Sequence, residues 1–181
     1  GTITTACQNV YVGAGAGRTA NSTGESNNTF VGYQSGMFAQ TGTSNTAVGA
    51  YTFRNGPLTG YSNVVIGVRT AQSATSMTTT VAIGDNSASC TTTAAGNTAL
   101  GYNSLYKNTT GGCNIAIGCS AGCAITTGSI NIAIGQLAGQ GITTGSNNIA
   151  IGCETMFGVV TTETGNNIAI GSCAGRCITS G

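Results

Sequence analysis

The stretch Asn114–Gly118 reads NIAIG, and the same five letters return at Asn131–Gly135, Asn148–Gly152 and Asn167–Gly171. Related stretches occur earlier in the chain: NVYVG (9–13), NTFVG (28–32), NTAVG (45–49), NVVIG (63–67), TVAIG (80–84) and NTALG (97–101). The intervals between successive closing glycines are 19, 17, 18, 17, 17, 17, 17, 17 and 19. The chain is therefore an array of ten repeats with a basic period of 17, and this period decides the fold.

A second motif lies half a period away, as ITTG at Ile125–Gly128 and again at Ile142–Gly145. Each period thus contains two short strand-like pieces separated by Gly, Ser and Asn, which favour turns. Helix-pair repeats and propeller blades need periods of roughly 34 and 40 residues. The sequence predicts an all-β protein, a parallel β-solenoid (β-roll) of about ten coils that fills residues 1–181 as one domain. Coils stacked about 4.8 Å apart would make a rod roughly 48 Å long.

Three columns of equivalent residues run through the array. The residue before the closing glycine is always aliphatic, from Val12 to Ile170, and we expect it in the core. The residue before that one, from Tyr11 to Ala169, points to the other face and is always apolar. A strand that is apolar on both faces is usually covered on both, so the alanine column is a candidate subunit interface or a plain wall. The third column is Asn, which we interpret as structural because stacked Asn side chains can bond one another.

Composition excludes several functions. The chain has five Lys or Arg, four Asp or Glu, a net charge of +1 and no His. So few bases argue against nucleic-acid binding, and no apolar run reaches the roughly 20 residues of a membrane span. Without His there is no Ser-His-Asp system. The acids are scattered (Glu25, Asp85, Glu154 and Glu163), so no general acid/base pair is expected.

No catalytic, cofactor-binding or metal-binding residue is predicted, and we expect a non-enzymatic protein without a cofactor. The glycine-rich stretch Gly13–Thr19 follows a strand, as a phosphate-binding loop would, but it matches neither common phosphate motif. The repeat already explains Gly13 as a coil corner.

Eight cysteines have an even count and include two Cys-x-x-x-Cys pairs, Cys119/Cys123 and Cys173/Cys177. We expect disulfides at coil corners in an oxidising compartment, with free buried thiols or a metal site as the alternatives. Three sequons, at Asn21, Asn27 and Asn108, permit N-glycosylation without demonstrating it. The other cysteines are Cys7, Cys90, Cys113 and Cys153.

Threonines form a further pair of columns, which includes Thr126 and Thr127. A regular Thr face on a β-solenoid resembles the ice-binding face of solenoid antifreeze proteins, so ice binding is the alternative function. Adjacent residues on a strand point to opposite faces, however, so only one Thr file would meet water. The column members are Thr92, Thr109, Thr126, Thr143, Thr161 and Thr179, followed by Thr93, Thr110, Thr127, Thr144, Thr162 and Ser180.

The repeats NNIAIG (147–152), SNTAVGAY (44–51) and NTALGYNSLYKNTTGG (97–112) resemble the heads of YadA-like trimeric autotransporter adhesins and the NTAVG-type repeats of phage tail fibres. The resemblance covers essentially the whole chain, although YadA-like repeats are shorter and poor in Cys. It implies a left-handed β-roll, a homotrimer and a role in a fibre or adhesive stalk.

The stretches ITTAC (3–7) and ITSG (178–181) occupy the same point of the repeat, which fits a longer array or end-to-end filaments. We therefore expect a structural segment of an extracellular fibre, filament or adhesin, on a cell surface, a secreted filament or a virion. Its expected partners are copies of itself and a host or cell-surface receptor or glycan, without nucleic acid or membrane insertion.

Overall fold

The structure is a computed structural model that describes residues 6–19, 24–25, 27–158 and 165–176. Ten three-residue strands form one parallel sheet in chain order, and two further strands, Ala6–Cys7 and Gly24–Glu25, pair with each other. Within the described residues there is no helix. The strands are β1 (Ala6–Cys7), β2 (Val10–Val12), β3 (Gly24–Glu25), β4 (Thr29–Val31), β5 (Thr46–Val48), β6 (Val64–Ile66), β7 (Val81–Ile83), β8 (Thr98–Leu100), β9 (Ile115–Ile117), β10 (Ile132–Ile134), β11 (Ile149–Ile151) and β12 (Ile168–Ile170).

The predicted parallel β-solenoid is confirmed, with ten rungs and about nine turns. Each strand residue pairs with its equivalent one coil later, as in Ala133 with Ala150. The longer periods keep this register too, because the extra residues lie in the turns: Val10 still pairs with Thr29. The second strand-like piece of each period is weaker than expected. Among the described residues it forms the two-residue pair β1–β3 and isolated bridges, such as Ala39 with Leu58, and the ITTG stretches are bends.

The interior of the coil is built around the middle residue of each strand. Ala116 is fully buried, whereas its neighbours Ile115 and Ile117 are 36% and 37% exposed. The expectation that the aliphatic column fills the core and the alanine column faces outward was therefore wrong, because the two columns are exchanged. Strand alternation separates two faces but does not say which is inside, and the interior of so thin a coil favours the smaller side chain. The inward residues are Tyr11, Phe30, Ala47, Val65, Ala82, Ala99, Ala116, Ala133, Ala150 and Ala169.

Large and small side chains alternate across this interior. A Cβ added to Gly36 would overlap the ring of Phe30 on the opposite wall. In the next coil the sizes are exchanged, with Ala47 on the strand and Phe53 on the facing wall, both fully buried. The rings of Phe30 and Phe53 contact each other at 6.4 Å between centroids. The core therefore holds about one bulky side chain per coil, placed on whichever wall leaves room, as close packing requires.

The glycine that closes each strand is required by its backbone. Gly118 has φ 131°, and a Cβ there would lie 2.7 Å from the carbonyl oxygen of Gly135 in the next coil. Only Gly adopts this φ readily, and only Gly lets successive coils approach so closely at the corner. The ten-fold repetition of this residue therefore sets the spacing of the coils.

The Asn column forms an internal hydrogen-bonded ladder, as expected. Asn131 Nδ2 donates to the carbonyl oxygen of Gly145 across its own coil at 2.9 Å, and Asn131 Oδ1 accepts from the backbone N–H of Asn148 at 3.0 Å. Asn131 and Asn148 are almost fully buried, so these bonds satisfy backbone groups that water cannot reach. The ladder changes at Thr80, whose hydroxyl instead donates to the carbonyl oxygen of Thr78 at 3.1 Å.

Candidate interaction surface

The outward side chains of the ten-stranded sheet make one apolar surface, which we call the aliphatic face. It consists of the first and third residue of every rung, and 17 of its 20 members are Val, Ile or Leu. None of the charged residues lies on it. The members are Val10, Val12, Thr29, Val31, Thr46, Val48, Val64, Ile66, Val81, Ile83, Thr98, Leu100, Ile115, Ile117, Ile132, Ile134, Ile149, Ile151, Ile168 and Ile170.

The aliphatic face is regular. Its two files run parallel to the rod, with rungs about 4.8 Å apart and the files roughly 6.6 Å apart. In the middle of the rod Val48, Ile66 and Ile83 are each 38% exposed, because the equivalent residues above and below cover their flanks. Every rung therefore presents two side-chain tips of similar size.

Two rims border the aliphatic face. The rim before the strands is mostly polar and includes Ser44 and Asn147; its residues have positive φ and turn the chain into each strand. The rim after the strands mixes polar and apolar residues and includes Tyr102 and Gln136. The first rim is Gln8, Asn27, Ser44, Ser62, Thr79, Gly96, Cys113, Ile130, Asn147 and Asn166. The second is Ala14, Tyr33, Ala50, Val68, Asp85, Tyr102, Cys119, Gln136, Cys153 and Ser172.

The acidic residues that the structure describes do not converge. Asp85 pairs with Arg69 at 3.5 Å and Glu154 pairs with Arg176 at 3.4 Å, in different coils and at largely solvent-accessible positions. Exposed pairs of this kind contribute roughly 0–1 kcal/mol each. Among the described residues no three Cys, Asp, Glu or His side chains come close enough to hold a metal ion. Glu163 and the side chain of Glu25 lie outside the described part.

The glycine-rich stretch Gly13–Thr19 is a coil corner, as the repeat indicates. The N–H of Gly17 donates to the carbonyl oxygen of Ser35 at 3.0 Å, and that of Thr19 donates to Met37 at 3.0 Å. The N–H of Ala16 donates back to Gly13 at 3.2 Å. Because these groups bond the neighbouring coil or their own turn, they do not form a phosphate cradle.

The disulfide prediction is not supported. Six cysteines are described, and all six are free thiols, including both members of the Cys119/Cys123 pair. Cys119 is exposed beside the hydroxyl of Ser120, whereas Cys123 is half-buried. Burial raises the pKa of the Cys123 thiol, and nearby Lys107 opposes this shift only in part. The remaining four are Cys90, Cys113, Cys153 and Cys173.

Among the other cysteines, Cys153 and Cys173 lie in adjacent coils, where the backbone N–H of Cys173 donates to the carbonyl oxygen of Cys153 at 2.8 Å, and both are free thiols. Cys119 and Cys153 occupy the same column, but the coil of Gln136 separates them. Two coil spacings amount to about 9.6 Å, more than the roughly 7 Å between Cα atoms that a disulfide can bridge. Cys177 and the side chain of Cys7 lie outside the described residues, so the pairing of Cys173 with Cys177 lies outside them as well.

The threonine columns differ from an ice-binding face in one respect. The hydroxyl of Thr126 donates to the carbonyl oxygen of Thr143 in the next coil at 3.1 Å, and Thr109 does the same toward Thr126 at 3.2 Å. One Thr file is thus bonded within the rod, and only the file of Thr127 is exposed. Nothing here favours ice binding, which stays a prediction; Thr161, Thr162, Thr179 and Ser180 lie outside the described residues.

The three sequons differ in accessibility. Asn108 is fully buried, so a glycan on it is incompatible with this fold. Asn27 is exposed at a turn before β4, with φ 45°. Asn21 lies outside the described residues. Asn27 is therefore the accessible sequon within the described part of the chain.

Sequence reasoning placed the wrong column outside, although a signal was present. The first position of the strands contains Thr at rungs β4, β5 and β8, as in Thr29 and Thr98. The first and third residues of a strand lie on the same face of the sheet. Because Thr in the first position indicates a face toward solvent, the aliphatic residues in the third position are expected on that outer face as well.

Comparisons with protein-family models, with curated proteins and with solved structures found no match to this chain. None of the described residues belongs to a helix that could cross a membrane.

Proposed function

We propose that this chain is a non-enzymatic, structural repeat segment of an extracellular fibre, filament or adhesin. The observation that carries the proposal is the unbroken parallel sheet from β2 to β12, in which every rung repeats the last. Such a sheet makes a stiff spacer, because each coil is fixed to its neighbours by backbone bonds and by the Asn ladder. A spacer needs no pocket, which fits the scattered acids of the described residues.

The proposed partners are copies of the same chain, with a cell-surface receptor or glycan as a second class. The aliphatic face supports the first class, because a large exposed apolar patch usually marks an interaction site. The exposed turns support the second, because turn side chains can vary without disturbing the ladder.

Immunogold electron microscopy tests the function. Antibodies raised against the purified, folded chain are applied to intact cells or particles of the source. We expect gold label along projecting fibres without permeabilisation, and antibody absorbed with the purified chain serves as the control. Label that appears only after permeabilisation would overturn the proposal, as would turnover of a substrate by the purified chain.

A further inference from the structure

We propose that a second copy of this chain binds the aliphatic face, so that two rods pack face to face about a twofold axis. The inference rests on the proposed association of the chain with itself, and it adds the surface and the stoichiometry. It replaces the expected alanine interface, since the alanines fill the coil interior.

The size of the aliphatic face supports this partner. Nine spacings of about 4.8 Å plus the end side chains give a length of roughly 48 Å, and two files about 6.6 Å apart give a width near 12 Å. Each copy would therefore bury on the order of 550 Å², or about 1,100 Å² for the pair. A specific interface needs roughly 1,000 Å² in total, so this face is just large enough when used over its full length.

The chemistry of the aliphatic face also fits a second copy. Stable interfaces have a core depleted of charge inside a more polar rim. Here the core is aliphatic, and the rim before the strands carries residues such as Ser44, Ser62 and Asn147. A partner with charged groups would leave them unpaired against Val and Ile, whereas an identical face brings none.

Periodicity provides the third argument. Two copies share the same rung spacing, so the tips of one face can fit between those of the other along the whole rod. Sheets packed in this way lie about 10 Å apart and form a dry contact. A partner with another repeat would match only at a few rungs.

The shape favours two copies over three. In a threefold ring each copy must contact two neighbours through two different patches. The aliphatic face would then be divided, with about one file per contact and about half the area, which falls below the size of a stable interface. Face-to-face packing uses both files in one contact.

Light scattering after size exclusion, with reductant present, tests the inference. We expect the purified chain to have a mass of twice 17.7 kDa. Ile117→Lys places a charge on the seventh of the ten rungs of the aliphatic face and should weaken association by about 100-fold or more, because an unpaired charge would be buried. Ile117→Thr should weaken it less, since Thr already occurs at three positions of this face.

Thr127→Lys is the matched control, because Thr127 is exposed in the same coil on another side. It should keep the dimer mass. A monomeric wild type, a trimeric mass, or a dimer unaffected by both Ile117 variants would overturn the inference. If circular dichroism shows that Ile117→Lys is unfolded, the dimer dissociation constant of Ile117→Thr, compared with that of the wild type, tests the inference instead.

The two proposals can fail separately. A monomer in solution would end the face-to-face inference without changing where antibodies bind on intact cells. Label confined to permeabilised cells would end the fibre proposal and leave a measured dimer standing.

Discussion

Replacement of Asn131 by Ala should destabilise the rod far more than the loss of one side chain suggests. The substitution leaves the carbonyl oxygen of Gly145 and the backbone N–H of Asn148 without their partners at 2.9 and 3.0 Å. It also removes the side-chain bond from Asn148 Nδ2 to Asn131 Oδ1 at 2.9 Å. The region is buried, so water cannot replace these bonds. Each of the three orphaned groups costs about 1–3 kcal/mol, which gives an expected loss of at least roughly 3 kcal/mol.

The free energy of unfolding in urea, followed by circular dichroism, measures this loss. Thr127→Ala is the matched control, because it truncates an exposed side chain in the preceding coil and should change stability by no more than about 0.5 kcal/mol. Asn131→Asp keeps the acceptor oxygen but turns a carboxylate toward the carbonyl of Gly145, so it should not rescue the fold. The reasoning would be refuted if Asn131→Ala and Thr127→Ala had equal stabilities.

Three further outcomes follow from the same geometry. Thr80→Asn should restore the ladder toward Asn97 and raise the free energy of unfolding by about 1 kcal/mol; a lower value in urea would contradict it. Gly118→Ala should cost at least about 2 kcal/mol, because its Cβ would meet the carbonyl oxygen of Gly135 and its φ is 131°; thermal unfolding checks this, and an unchanged midpoint would refute it. Burial raises the pKa of Cys123, so the folded chain holds that thiol proton more tightly than the unfolded chain. The resulting stability is complete below the usual thiol pKa and is lost as pH rises through the folded value; Cys123→Ser should remove this alkaline loss in urea titrations, and an identical pH profile would count against it.

Most of the fold could be predicted from the repeat period. Glycines one period apart, such as Gly118 and Gly135, demand coils in register, and parallel pairing of equivalent residues follows. The period is a property of the whole chain, so local errors do not disturb it. The weakness of the second strand could not be read from residue propensities: Thr126 lies in a bend, where its backbone N–H and its hydroxyl both donate to the carbonyl oxygen of Thr143 in the next coil.

The aliphatic face was harder to predict, because the inward and the outward columns of the strand are both apolar. The inward and the outward side chains of the strands differ in volume rather than in polarity. Ala116 must be small because Leu105 and Ile125 fill the coil interior from other walls, and all three are buried. Sequence reasoning about one strand does not include those walls, which lie more than half a period away along the chain.

Because the strands keep their register, the length of the rod depends on the number of coils and not on the number of residues in each coil. The coil from Gly13 to Gly32 is longer than the coil from Gly118 to Gly135, yet each adds one strand spacing to the length of the rod. Val10 and Thr29, for example, still pair on adjacent rungs. A gene that gained or lost one whole repeat would lengthen or shorten the rod by about 4.8 Å and leave every column aligned. Small insertions at the turns would change the outline of a coil without changing height. The length of the rod is therefore set by the number of closing glycines, with one step for each coil.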